Sequence, residues 1–205
     1  MGSEYYFDIW TYPGGMSFGL DTVIEVAWIA AAVVWLVGGF LTKTTVRSQS
    51  ASSRLLEILP MAVVFLLFFV NQSLLEWTSV RFVPATFGWQ SLGAAMTVAG
   101  VIVAMWSRFY IGRNWSAQVT VKEDHELIRS GPYSVVRHPI YSGFLLAILG
   151  TAIYVGQLRG LLAVLLAALA WKIKSMREET FMEDQFGEQY VQYRREVKAL
   201  VPFIW

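Results

Sequence analysis

Hydrophobic positions in this chain gather into long runs separated by short polar connections, not into short periodic stretches. The first run extends from Leu20 to Leu41, with Asp21 and Glu25 at its entry. The second, Leu55 to Leu75, carries Pro60 in its first turns, where a missing N–H costs least. The third runs from Trp89 to Tyr110. The fourth and fifth, Ile140 to Val155 and Leu161 to Ile173, are joined by a five-residue piece, Gly156 to Gly160, that suits a tight helix–turn–helix. Apolar runs of about 18 residues or more read as membrane-spanning helices. The last two runs are shorter, and suit a hairpin that projects past the bilayer or sits where it is thinned. The pattern predicts an all-α polytopic membrane protein with about five transmembrane helices, a cytosolic loop and a C-terminal cytosolic helix.

Beyond the fifth run, Phe186, Tyr190, Tyr193 and Val197 recur at three- and four-residue spacing with charges between them, which predicts an amphipathic helix. Gly187 interrupts it and Pro202 ends it. Residues 1–110 therefore read as three transmembrane helices. Residues 111–205 read as a loop, a helical hairpin and a terminal helix forming one integrated unit. Basic residues set the orientation. Lys43, Arg47 and Arg54 lie between runs one and two; Arg108, Arg113, Lys122, Arg129 and Arg137 surround the loop between runs three and four. Lys172, Lys174, Arg177, Arg194, Arg195 and Lys198 follow or close run five, and only Arg81 and Arg159 fall on the other side. The positive-inside rule then places the N-terminus outside, and the C-terminus with the polar segments in the cytosol.

Composition strengthens this picture. Hydrophobic residues make up 56% of the 205 and charged residues only 15%, against about a quarter charged in an ordinary soluble domain. The absence of cysteine excludes disulfides and thiolate metal sites. Two histidines, His125 and His138, argue against a histidine-rich metal centre, so no metal is expected. No nucleic-acid partner is expected either; the bilayer is. The first residues lack the basic region of a cleaved signal peptide and carry Glu4 and Asp8 instead. Gly2 is followed at position 6 by tyrosine, not the serine or threonine of a myristoylation site. The glycine-rich pieces near residues 13–19 and 37–40 lack the strand–turn–helix context of a dinucleotide or phosphate loop.

Candidate chemistry concentrates at two places on the predicted cytosolic face. In the loop, Gly131-Pro132 signals a turn, and Pro139 biases His138 out of helix while suiting the first turn of the next one. In the tail, Lys174 lies four residues before Glu178, on one helical face, with Arg177 and Glu179 beside it. Each cluster alone reads equally as an interfacial anchor or a solvated ion pair. Two of them converging on one membrane face point to function.

Read together, Gln118, His125, Leu127, Gly131, Tyr133, Arg137, His138, Pro139, Tyr141 and Gly143, followed by Glu178-Glu179, Phe186-Gly187, Tyr190, Tyr193 and Pro202-Phe203, form a composite pattern. It resembles the isoprenylcysteine carboxyl methyltransferase family, small integral membrane enzymes that use S-adenosylmethionine. The resemblance covers about Arg108 to Phe203. It implies that Gln118, the segment His125, Glu126, Leu127 and Ile128, Tyr133, and the segment His138, Pro139, Ile140 and Tyr141 surround S-adenosylmethionine. Arg137 and Glu179, which flank these positions, are expected to bind the cofactor with them, and Glu178 matches an acidic residue that contacts it. Lys174 falls where the family usually has an arginine that handles the methyl acceptor; the charge is kept and the planar fork is lost. Arg177 could stand in for it. Lys174, Arg177 and Glu178 are thus the expected catalytic group.

Methyl transfer from a sulfonium needs alignment and water exclusion more than acid–base help. A carboxylate acceptor needs no base, and a nearby lysine or arginine would hold it. Aromatic faces such as Tyr133, Tyr141 or Trp115 favour a cationic donor by about 0.5 to 2 kcal/mol each. The expected partner is a lipophilic or prenylated substrate delivered from the bilayer. An amine acceptor, as in phospholipid N-methyltransferases, is the alternative. An NADPH-dependent membrane reductase and a non-enzymatic membrane protein are the remaining readings.

Overall fold

The computed structural model describes residues 19–39, 45–48, 51–69, 76–112, 120–122 and 127–202. Six α-helices dominate it: α1 (Leu20–Gly39), α2 (Ala51–Phe69), α3 (Phe87–Ile111), α4 (Pro139–Val155), α5 (Leu158–Phe186) and α6 (Glu188–Glu196). The all-α expectation needs one addition. Thr45–Ser48 (β1) and Thr120–Lys122 (β2) pair as a two-stranded antiparallel ribbon that ties the α1–α2 connection to the α3–α4 connection.

Three boundaries differ from the sequence reading. Helix α2 starts at Ala51, so Pro60 lies inside it and not in its first turns. The connection between the fourth and fifth runs shrinks to Gly156 and Gln157, with Leu158, Arg159 and Gly160 already helical. The fifth apolar run and the start of the tail are one 29-residue helix, α5, ending at Phe186. Gly187, at φ 53°, is both its C-cap and the start of α6, a backbone conformation that side chains other than glycine's rarely tolerate. Helix α6 stops at Glu196, well before Pro202, because Val197 is extended and Lys198 bridges to Val136 as a parallel strand pair.

The helices turn small residues inward and large apolar ones outward. Ala104, Ala147, Ala152, Ala163 and Ala167 are fully buried, whereas Ile29, Leu36, Leu165 and Phe109 are more than half exposed. A water-soluble bundle does the reverse; lipid-embedded helices pack through small residues because lipid solvates the large ones. The antiparallel α3–α4 contact is the tightest case. Gly93 faces Gly150 and Gly100 faces Gly143 so closely that a Cβ at Gly100 would sit 2.4 Å from both the Gly143 carbonyl oxygen and the Ala147 nitrogen. Thr97 seals this seam, donating to the Gly93 carbonyl at 2.9 Å, and its hydroxyl lies 3.1 Å from that of Thr151. Trp28 Nε1 reaches the same Thr151 hydroxyl at 3.1 Å, which brings in α1. A second apolar cluster, Val64, Ile148, Ala163 and Ala167, joins α2, α4 and α5.

Among the described residues two helices, Leu20–Gly38 and Phe87–Ile111, are long and apolar enough to cross a membrane; Leu59–Phe68 and Pro139–Val155 are apolar but shorter. By length and composition the described residues thus hold two candidate spans, against the five expected from sequence. The connections segregate to two ends. At one, Phe82 donates to the Gly156 carbonyl and Leu158 to that of Val80, each at 2.9 Å, joining the α2–α3 and α4–α5 connections. The ribbon, residues 127–138 and the C-terminal segment gather at the other. There Arg108, though buried, donates to the carbonyls of Gly38 (2.7 Å) and Gly112 (2.9 Å), satisfying the C-terminal ends of α1 and α3 together.

Candidate active site

The site grows from the entry to α4. Gly131-Pro132 opens a single 3-10 turn, Gly131–Ser134, that buries Tyr133. Its hydroxyl donates to the Ser107 carbonyl at 3.3 Å, and its own carbonyl accepts from the Tyr193 hydroxyl at 2.5 Å. The chain then runs extended. Arg137 and His138 donate their backbone N–H groups to Lys198 and Ala199 at 2.8 and 3.0 Å. His138 is the N-cap of α4 and Pro139 its first residue, as the Pro139 signal predicts. Pro139 and Ile140 are buried.

His138 sits between two carboxylates from α5. Its Nδ1 lies 3.4 Å from Glu178 Oε2 and its Nε2 lies 3.1 Å from Glu179 Oε1. The Tyr141 hydroxyl donates to Glu178 Oε1 at 2.5 Å. Burial alone would depress the imidazole's pKa, but hydrogen bonds and charges from Glu178 and Glu179 outweigh it and raise the value above the ordinary 6.5. Burial would raise both carboxyls, yet His138, with Lys174 and Tyr141 at Glu178 and Arg137 at Glu179, holds them below the ordinary range. Nearby phenols move the other way. Burial pushes Tyr133 and Tyr190 well above their usual value, and Tyr193 up to about 12. All three shifts favour the same arrangement, an imidazolium clasped by two carboxylates.

A pH dependence follows from these directions. His138 gains its partners on folding, so its contribution to stability is complete below about pH 6.5 and is lost as pH rises through the raised folded value. The carboxylates contribute above about pH 4.5 and lose that contribution as pH falls through their lowered values. Thermal unfolding in detergent is expected to show a decline on each side of this window. His138→Asn should flatten the alkaline decline; an alkaline limb identical to the wild type would remove His138 as its source.

From His138 a ladder of flat rings leads into the bundle. Its imidazole stacks on Tyr141 (5.6 Å between centroids, 11° between planes), Tyr141 on Trp171 (5.8 Å, 9°), Trp171 on Phe144 (5.9 Å, 19°) and Phe144 on Trp28 (6.1 Å, 5°). Trp35 meets Phe144 edge-on at 4.7 Å. Three helices, α1, α4 and α5, supply these rings. Lys174 brings its Nζ to 5.9 Å from the centre of the Tyr141 ring, and its charge acts on Glu178. Arg177 is half-buried, and its Nη1 meets no hydrogen-bond acceptor among the described residues.

The residues singled out from sequence thus fall into groups. Tyr133, Arg137, His138, Pro139, Ile140, Tyr141, Lys174, Glu178 and Glu179 come together. Leu127 and Ile128 are half-buried on the approach to the 3-10 turn. Gln118, His125 and Glu126, like Trp115, lie outside the described residues. Sequence reasoning missed the aromatic ladder, although Trp171, Lys174 and Glu178 share one helical face at three- and four-residue spacing. It also missed the hydrogen bond from the Ser142 hydroxyl to the Leu200 carbonyl, 2.5 Å, for which no local signal exists.

A family profile described as phospholipid methyltransferase matches residues 89–189, the stretch from α3 through the start of α6. The protein-S-isoprenylcysteine O-methyltransferase B of Arabidopsis thaliana is 31% identical over 119 residues, 56% of this chain and 59% of that protein. The Schizosaccharomyces pombe protein-S-isoprenylcysteine O-methyltransferase is 38% identical over 98 residues, 45% of this chain and 41% of its own length. The chain is similar in sequence to protein-S-isoprenylcysteine O-methyltransferases. It spans well under two thirds of the length of these relatives. A solved structure of the eukaryotic intramembrane Ras methyltransferase ICMT matches 91% of this chain and 66% of that one, with a TM-score of 0.55 and 21% identity, and so shares the fold.

Proposed function

We propose that this chain transfers the methyl group of S-adenosylmethionine to the carboxylate of an isoprenylcysteine-like, lipophilic acceptor at the cytosolic boundary of a membrane. The observation that carries this reading is the His138–Glu178–Glu179 clasp standing at the head of an aromatic ladder. One end of the site is ionic and the other is apolar, and the hydrogen bond from Tyr141 to Glu178, 37 residues apart in sequence, joins them.

The chemistry of the side chains suits the donor. S-adenosylmethionine, when bound, supplies an activated methyl on a positively charged sulfur. Glu178, held ionised, offers a carboxylate to a cationic group, and the Tyr141 ring already tolerates the Lys174 ammonium within cation–π range. Tyr133, His138 and Ile140, with Gln118, His125, Glu126, Leu127 and Ile128, would complete the enclosure. Lys174 and Arg177, whose Nη1 has no acceptor among the described residues, suit the negative charge of an acceptor. A carboxylate acceptor is a nucleophile as it stands, so no residue has to remove a proton. The flat walls of Trp171, Phe144 and Trp28 suit an isoprenoid chain lying along them and keep water from the reacting end.

Membrane placement follows the same lines. Five helices, α1 to α5, cross the bilayer, with the N-terminus outside and the site in the cytosol. Exposed aromatics support this on α3: Phe87 and Trp89 at one end, Trp106, Phe109 and Tyr110 at the other. Trp89 and Trp106 are 17 residues apart, about 26 Å at 1.5 Å per residue, close to the thickness of the hydrocarbon core.

The matched profile's description favours one further reading, methylation of a phospholipid amine. Lys174 weighs against it, because a lipid amine arrives mainly as an ammonium and a neighbouring ammonium repels that form. Methyl transfer should be measured with a prenylcysteine analogue and with phosphatidylethanolamine, alongside binding of S-adenosylmethionine and of NADPH. Transfer to the amine alone replaces the acceptor; binding of NADPH alone replaces the chemistry. Lys174→Ala is expected to raise the KM for the acceptor about tenfold, the scale of one charge-assisted contact, and to leave donor affinity within about twofold. An unchanged acceptor KM would remove Lys174 from that role.

A further inference from the structure

Arg137 stands in the middle of the motif, yet its guanidinium is spent inside the protein. Its Nε and Nη2 both donate to one atom, Glu179 Oε1, at 3.0 and 2.6 Å. Its Nη1 donates to the carbonyls of Arg194, at 3.2 Å, and Val197. The same Glu179 Oε1 is the oxygen that meets His138 Nε2 at 3.1 Å. Three N–H donors therefore converge on one oxygen, in a pair whose side chains are only 8% and 12% exposed.

The support behind Arg137 is backbone from the far end of the chain. Residues 194 and 197 accept from its side chain, Lys198 accepts from its own N–H, Ala199 from His138 N–H, and Leu200 from the Ser142 hydroxyl. Leu200 is 1% exposed, so this segment is built into the fold. Arg129 pairs with Glu196 at 2.6 Å and fastens the end of α6 to the segment that leads into Tyr133.

We propose that Arg137 is a positioning residue: it fixes Glu179 on His138, working from a brace made by the backbone of residues 194–200. This rests on the reading of His138 and the two carboxylates as the donor's seat. In that reading Arg137 touches neither donor nor acceptor. It sets the second carboxylate, which holds the imidazolium, which in turn faces Glu178. A planar fork is required, because a lysine ammonium in the same place cannot reach Glu179 and two carbonyls in one plane.

The groups facing His138 are Glu178 and Glu179 from α5, Tyr141 from α4 and Arg137 beside it, with Lys174 and Tyr190 one step further out. Among these, Arg137 has a diagnostic sign. Deleting a cation, with everything else in place, raises the pKa of a neighbouring imidazolium. Deleting the group that holds Glu179 against the ring lowers it, because the imidazolium loses a carboxylate.

The test is a pH titration of 15N-histidine NMR signals from the full chain in detergent. Two histidines give two side chains, and His138→Asn assigns the relevant one. Arg137→Gln is expected to lower the His138 midpoint by about one pH unit, the scale of one adjacent opposite charge. Glu179→Gln should lower it equally, and the double variant should go no lower than either. Arg137→Lys, which keeps the charge and loses the fork, should also lower it, and serves if Arg137→Gln does not fold. A midpoint that rises or stays in place, or an additive double variant, overturns the proposal. The functional arm is the donor KM, expected to rise at least tenfold in Arg137→Lys with the acceptor KM unchanged; an unchanged donor KM also overturns it. Wild-type protein that fails to bind S-adenosylmethionine refutes the donor's seat, whereas the NMR arm judges Arg137 either way.

Discussion

Glu178→Gln is expected to weaken S-adenosylmethionine binding by roughly ten- to a hundredfold, about 1.5 to 3 kcal/mol for a lost hydrogen bond to a charged group. The substitution is nearly isosteric and can still accept from the Tyr141 hydroxyl, so packing should survive. The negative charge is what disappears. The amide can point an N–H at His138, whose protonated ring, the form favoured by its raised pKa, is itself a donor, and a clasp becomes a repulsion. Glu178→Ala should lose at least as much, with some loss of fold stability because Tyr141 then has no carboxylate to bond. Titration calorimetry on the detergent-solubilised protein measures the first effect and thermal unfolding the second. Donor affinity unchanged in Glu178→Gln would take Glu178 out of the site, and with it the assignment of this end of the bundle to methyl-donor chemistry.

Gly100→Leu is expected to prevent α3 and α4 from docking. A Cβ there would lie 2.4 Å from the Gly143 carbonyl oxygen and from the Ala147 nitrogen. Both obstacles are backbone, so no rotamer change relieves the clash and only separation of the helices does. Overpacking a well-packed core usually costs about 1 to 3 kcal/mol, and this contact belongs above that range because nothing soft can yield. The separation would also pull Thr97 from Thr151 and shift the start of α4, where His138 is the N-cap. Folded yield and melting temperature by size-exclusion and thermal scanning should both fall sharply. Gly88→Ala is the control: nothing lies within 4 Å of a Cβ there, so it should be neutral. Normal melting of Gly100→Leu would mean that the α3–α4 seam is looser than described.

How much of this was legible beforehand depends on whether the cause is local. The apolar runs announced α1, α3 and α4 nearly residue for residue, because a lipid-facing helix must be apolar along its whole length. Pro139 announced the start of α4, and with it the non-helical His138, because proline constrains both φ and its predecessor. The spacing of Lys174 and Glu178 announced a shared face. The hairpin was misjudged: Arg159 and Gly160 resemble a turn, yet they belong to α5, where Gly160 lets the helix pass close to Ala152. The end of α6 was misjudged for a different reason. Nothing near Val197 stops a helix; Arg137 and His138 do, by taking the carbonyls of residues 197 to 199 into another pairing.

The amino-acid sequence by itself determined that this chain is helical and membrane-directed, that its basic residues gather in the connections and the tail, and which family its motifs resemble. These properties belong to composition and short-range spacing, where each residue acts through its own solvation or its neighbours within a turn. Only the tertiary structure decided that Glu178 and Glu179 both face one imidazole, that Arg137 serves Glu179, and that residues 194–200 hold the arrangement in place. Those facts depend on contacts between segments some 40 to 60 residues apart, whose closure is set by helix packing down to the width of a missing Cβ.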